Sequence, residues 1–124
     1  MGFEEDIERY VDFVLGLFQC RRKVEGKDWL EHGAMGLVTE SAEVLDMVKK
    51  HFFYGRPLDM TKLKDELGDI LFYWTGVVEK SGLCAEEIIQ ANVRKLTVRY
   101  PNGYTDERAN SRDENAEYDV VKGE

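Results

Sequence analysis

Apolar residues recur at three- and four-residue spacing in four stretches, which predicts four amphipathic helices. The first covers residues 3 to about 21, with Phe3, Ile7, Tyr10, Val11, Val14, Leu17 and Phe18 along one side. The second enters through residues 29–36 and runs to about residue 51, with Leu37, Ser41, Val44, Leu45 and Val48 as its stripe. The third starts at Thr61 and ends near Ser81, with Leu63, Leu67, Ile70, Leu71, Trp74, Val77 and Val78. The fourth covers residues 85–99 with Ile88, Ile89, Val93 and Leu96. Acidic residues at the starts (Glu4, Glu5, Asp6; Glu86, Glu87) and basic residues at the ends (Arg21, Arg22, Lys23; Lys49, Lys50, His51; Arg94, Lys95, Arg99) match the helix dipole. Gly26, Gly55 with Pro57, and Pro101 with Gly103 punctuate the pattern, and Asp28 with Glu31 fits a capping box. No segment reads as a strand. The expected fold is therefore all-α, a short four-helix bundle-type domain over residues 1–104. Residues 105–124 are polar and mixed in charge, and are expected to form a flexible tail or an arm laid on a partner. Gly68 and Gly76 each cost a helix about 1 kcal/mol, which a close helix approach would explain.

The polar positions add chemistry to this frame. Glu40 and Glu43 lie three apart on the second helix, and Glu66 and Asp69 three apart on the third. Three-residue spacing keeps each pair on one face. Counted at about 100° per residue, both pairs fall at the same angle beside their stripes. Packing the stripes together brings four carboxylates toward one groove, where repulsion and lost hydration require a cation. Oxygen-only donors without cysteine or histidine select a hard ion, Mg²⁺ first and Mn²⁺ second. The alternative at this level is two ordinary helices with solvated acidic flanks. Lys50, seven residues from Glu43, shares its face and reaches toward a metal-held phosphate; Tyr73 follows Asp69 by one turn. Trp29 and His32 stand at the entry of the second helix, Trp29 as a stacking surface or as packing.

Composition narrows the classes. The 124 residues fit one domain, 43% hydrophobic and 34% charged. A formal net charge of −8 argues against nucleic-acid and anionic-membrane binding. Cys20 and Cys84 lack metal-ligand spacing and are expected to be reduced packing residues in a cytoplasmic protein. The acidic start does not read as a signal peptide, and no apolar run approaches the ~20 residues of a membrane span. There is no glycine-rich phosphate loop, no Glu-x-x-His of a di-iron bundle, and no serine or cysteine nucleophile beside a base.

The two acidic pairs, separated by 22 residues, stand within longer blocks. These are His32-Gly-Ala-Met-Gly-Leu-Val-Thr-Glu40, Lys49-Lys-His-Phe-Phe-Tyr-Gly-Arg-Pro-Leu-Asp59, Asp65-Glu-Leu-Gly-Asp-Ile-Leu-Phe-Tyr73 and Asn92-Val-Arg-Lys-Leu-Thr-Val-Arg-Tyr-Pro101. In this order they resemble the MazG-like all-α nucleoside triphosphate pyrophosphohydrolases, over about residues 30 to 108. The resemblance implies a helical bundle that forms dimers, or tetramers as pairs of dimers. It implies hydrolysis of a (deoxy)nucleoside triphosphate between the α- and β-phosphates, giving the monophosphate and pyrophosphate. Glu40, Glu43, Glu66 and Asp69 correspond to the family's Mg²⁺ ligands. Lys50, Asn92, Lys95 and Tyr73 fall where such enzymes contact phosphate or sugar, with Trp29 and His32 toward the base. Glu43 is the expected general base. Two other readings compete: a phosphoribosyl-ATP pyrophosphohydrolase-like enzyme, and a non-catalytic helical dimer that binds nucleotide, metal or a protein partner.

Overall fold

The structure is a computed structural model and describes residues 2–19 and 29–123. Among these residues it is all-helical, with α1 at Phe3–Gln19, α2 at Trp29–Tyr54, α3 at Met60–Lys80, α4 at Ala85–Arg99, α5 at Asp106–Asn110 and α6 at Glu114–Lys122. The expected residues of the first helix beyond 19, and the expected Asp28 cap, lie outside the described residues. The chain forms two compact units, Met1–Gly82 and Leu83–Glu124.

In the first unit α3 is the central element, with α2 and α1 both packed on it. Asp59 caps its start, accepting from the amides of Thr61 at 3.0 Å and Lys62 at 3.1 Å, which satisfies two donors that a helix end leaves open. Val14, Met47 and Val78 are buried. Thr75 is buried too, its hydroxyl donating to the Leu71 carbonyl at 2.8 Å. The α2–α3 seam is tight because α2 has no side chain at two buried points. A Cβ on Gly36 would come within 2.3 Å of the Tyr73 ring, and one on Gly33 within 2.9 Å of Val77 Cγ2. Close approach thus rests on Gly33 and Gly36. Gly68, expected to serve it, faces open space.

α2 continues past the basic cluster at which the sequence reading stopped it. Phe52, Phe53 and Tyr54 extend the helix, and Gly55 at φ +66° ends it, with the Arg56 amide donating to the Lys50 carbonyl at 3.2 Å. His51 Nδ1 lies 2.8 Å from the Arg56 carbonyl oxygen and ties the turn to the helix. Leu45, Leu67 and Leu71, expected in the core, are instead exposed on this chain; Phe52 and Phe53, at the end of α2, are exposed as well, the latter 80%. Periodicity reports that a face is apolar but not which surface covers it.

In the second unit, where a flexible tail or an arm laid on a partner was expected, the segment carries α5 and α6, and α6 packs on α4. Local capping explains why so polar a segment folds. The Thr105 hydroxyl accepts from the Arg108 amide at 3.1 Å, and Asp113 accepts from the Ala116 amide at 3.0 Å. Gly123, at φ +88°, closes α6. Residues 83–104 therefore share a compact unit with residues 105–124. Cys84, expected to pack, is exposed at the start of α4; Cys20 lies outside the described residues.

Candidate metal centre

Glu40 on α2 and Glu66 and Asp69 on α3 meet on one side of the tight α2–α3 pair. One carboxylate oxygen from each lies within 4.8 Å of those of the other two. Glu40 and Glu66 are half-buried and Asp69 is exposed. The electrostatics are those of crowded like charges. A side-chain hydrogen bond with Glu66 pushes the Glu40 carboxyl up to about 7, helped by desolvation and by the charges of Glu66, Asp69 and Glu43. Desolvation, then the charges of Asp65 and Glu66, also raises Asp69. The Glu40 carboxyl therefore keeps its proton more readily than a free glutamate, and a cation would relieve the same crowding. Three oxygen donors with an excess of negative charge fit a hard divalent ion, and Glu40, Glu66 and Asp69 are the residues that would hold it.

Of the four carboxylates expected to converge, the trio contains three. Glu43 is exposed and stands outside it, close enough for its charge to act on Glu40. Three-residue spacing therefore does not by itself decide membership, since Glu66 and Asp69 share that spacing and both belong to the trio. Lys50 is held by Asp46 at 2.6 Å, with Lys49 3.5 Å from the same carboxylate, so Asp46 answers the charge that the sequence reading left for a phosphate. Lys50 lowers Asp46 in turn, chiefly through this hydrogen bond. Tyr73 is half-buried against Gly36, with the His32 ring 6.1 Å away centroid to centroid. Trp29 opens α2, and its side chain is not among those described. Asn92 is exposed and Lys95 half-buried on α4, in the second unit.

Two neighbours of the trio escaped the sequence reading. Asp65, one turn before Asp69, adds to the local negative charge and was legible from its four-residue spacing. Tyr10 of α1 is raised by burial and then by the charge of Asp69, which places α1 at the edge of the acidic cluster. Its position in the apolar stripe gave no sign of this.

A raised acid makes stability depend on pH in a definite direction. An unfolded glutamate titrates near 4.5 and folded Glu40 near 7, so between these values the folded chain binds more protons. That stabilisation is complete below about 4.5 and is lost as pH rises through about 7. With chelator present, Tm is expected to fall between pH 5 and 8 by on the order of 3–5 °C, after discounting for solvent screening. Glu40→Gln should flatten the slope, and Mg²⁺ should raise Tm more at pH 8 than at pH 5. Thermal unfolding of both proteins across this range checks it, and a flat wild-type profile contradicts it.

The arrangement defines a helical protein with a carboxylate centre at a helix–helix seam. A family model, the MazG nucleotide pyrophosphohydrolase domain, matches residues 31–104, and the chain belongs to this family. Among curated proteins and solved structures, none matches the chain significantly. The matched span contains all three clustered carboxylates and Glu43. No helix among the described residues is long and apolar enough to cross a membrane.

Proposed function

We propose that the protein is a Mg²⁺-dependent nucleoside triphosphate pyrophosphohydrolase of the cytoplasm, cleaving between the α- and β-phosphates of a (deoxy)nucleoside triphosphate. The observation that carries this reading is the meeting of Glu40, Glu66 and Asp69 within a chain of the MazG family. When bound, Mg²⁺, or Mn²⁺ in its place, supplies Lewis acidity toward the phosphoryl oxygens. Glu43, on α2, exposed and outside the trio, is the base that takes the proton of the attacking water. Lys50, released from Asp46, and Lys95 and Asn92 bind the phosphates, balancing charge that grows on the departing pyrophosphate. Tyr73 meets the sugar, and His32 and Trp29 meet the base.

The exposed leucines and phenylalanines of α2 and α3 support a homodimer or a tetramer, in which a second copy of the chain covers them. The deciding experiment incubates the protein with standard ribo- and deoxyribonucleoside triphosphates and with phosphoribosyl-ATP, in Mg²⁺ and in chelator. Sedimentation of the same sample should give the mass of two or four chains. Pyrophosphate and monophosphate released only with the metal are expected. Orthophosphate release places the cut at another bond. Turnover of phosphoribosyl-ATP alone selects the sibling reaction, and binding without turnover selects a non-catalytic protein.

A further inference from the structure

α5 and α6 lie beyond the matched residues 31–104, yet they hold the one buried carboxylate among the described residues. Glu117 on α6 is 3% exposed. Its Oε1 accepts from Arg99 Nε at 2.7 Å, and its Oε2 accepts from Arg99 Nη2 at 2.8 Å. Arg112 adds two more bonds to Oε2, from Nε at 3.1 Å and Nη2 at 2.9 Å. The two guanidinium groups hold Glu117 down to about 2, so it is charged throughout the working range. Arg99 is the last residue of α4, and its side chain is only 14% exposed. Beside it, the Tyr100 and Tyr104 rings lie 5.1 Å apart and the Tyr104 hydroxyl donates to Asp106 at 3.1 Å. The end of α4 is thus fastened both to α6 and to the start of α5.

Arg99 follows Lys95 by four residues and Asn92 by seven, so the three share one face of α4. We propose that Glu117 is a positioning residue: by gripping Arg99 it fixes the last turns of α4 and so presents Lys95 to a phosphate in one orientation. This rests on the phosphate role proposed above for Lys95. A two-pronged guanidinium–carboxylate contact fixes direction as well as distance. The nine residues of α6 are too few to hold a helix alone, so its place depends on what it grips. Ordering α4 in advance lowers the cost of ordering it when substrate binds.

The test compares full-length wild type with Glu117→Gln and with Arg99→Lys, which keeps the charge but loses the fork. Amide hydrogen exchange at residues 95–99 is read without nucleotide. KM and kcat are read for the triphosphate hydrolysed fastest, and affinity is read for Mn²⁺ alone. Faster exchange is expected, with KM raised about tenfold and kcat and Mn²⁺ affinity within about twofold of wild type. Wild-type exchange and KM in both variants overturn the proposal. Parallel loss of helical content and Mn²⁺ binding overturns it as well, since that marks general unfolding. A wild type that hydrolyses no triphosphate removes the Lys95 role and this inference together, whereas an active wild type with variants of unchanged KM removes this inference alone.

Discussion

Replacing Glu43 with glutamine is expected to lower kcat by roughly 10²–10⁴-fold, the usual contribution of a positioned general base. Mn²⁺ affinity should stay near the wild-type value. The split follows from geometry: Glu43 lies outside the Glu40–Glu66–Asp69 trio but within its electrostatic reach. Asp69→Asn should behave in the opposite way. It removes a donor from the cluster, so metal affinity falls by at least the roughly 10–100-fold typical of outer-shell partners, and activity recovers in part at high metal. Calorimetric titration of Mn²⁺ beside steady-state kinetics separates the two patterns. Equal loss of metal affinity in both variants makes Glu43 a fourth ligand. Full activity in Glu43→Gln removes it from the reaction.

The second large effect is expected at a residue that carries no functional group. Gly36→Ala presses a Cβ against the Tyr73 ring, at 2.3 to 2.5 Å from three ring carbons, one of them at the ring's attachment point. Turning the ring about its own axis does not relieve the attachment carbon, so the side chain must leave its rotamer or α3 must shift. Overpacking of this kind costs about 1–3 kcal/mol, against which alanine's better helix propensity returns about 1 kcal/mol. Gly36→Val adds bulk and β-branching and should cost more. In a Tyr73→Ala background the clash is gone, so Gly36→Ala should become neutral or stabilising. A denaturant-unfolding cycle over the four proteins measures this coupling, and simple additivity would show that the contact has no energetic weight.

The sequence made the apolar faces legible because a helix writes its buried side every three or four residues. α4 follows the expected bounds, and the start of α3 lies one residue from its expected position because Asp59 caps it. The end of α2 was not legible in the same way. Lys49, Lys50 and His51 look like a helix end, yet the stop depends on Gly55 taking a positive φ, which composition alone does not reveal. α6 was missed for a different reason. Apolar count cannot register a helix held by one carboxylate between two arginines, a pairing that spans 18 residues to Arg99. The three clustered carboxylates were legible from spacing. The separation of Glu43 from them was not, because a face on a helical wheel is broader than a coordination sphere. Nor was the capture of Lys50 by Asp46, although their four-residue spacing was visible.

Gly36 precedes Glu40 by one turn, and Tyr73 follows Asp69 by one turn. The spot where α2 and α3 touch most tightly therefore sits roughly 6 Å along the axis from the acidic cluster, at 1.5 Å per residue. Two rods clamped so near their working end behave like a calliper, with the thickness of one phenol ring setting the opening of the jaws. Mg²⁺–oxygen distances of about 2.0–2.1 Å and Ca²⁺–oxygen distances of about 2.3–2.6 Å differ by only a few tenths of an ångström. Discrimination between ions of different radius would then be decided by how thinly two backbones can be laminated, at a place that no ion touches.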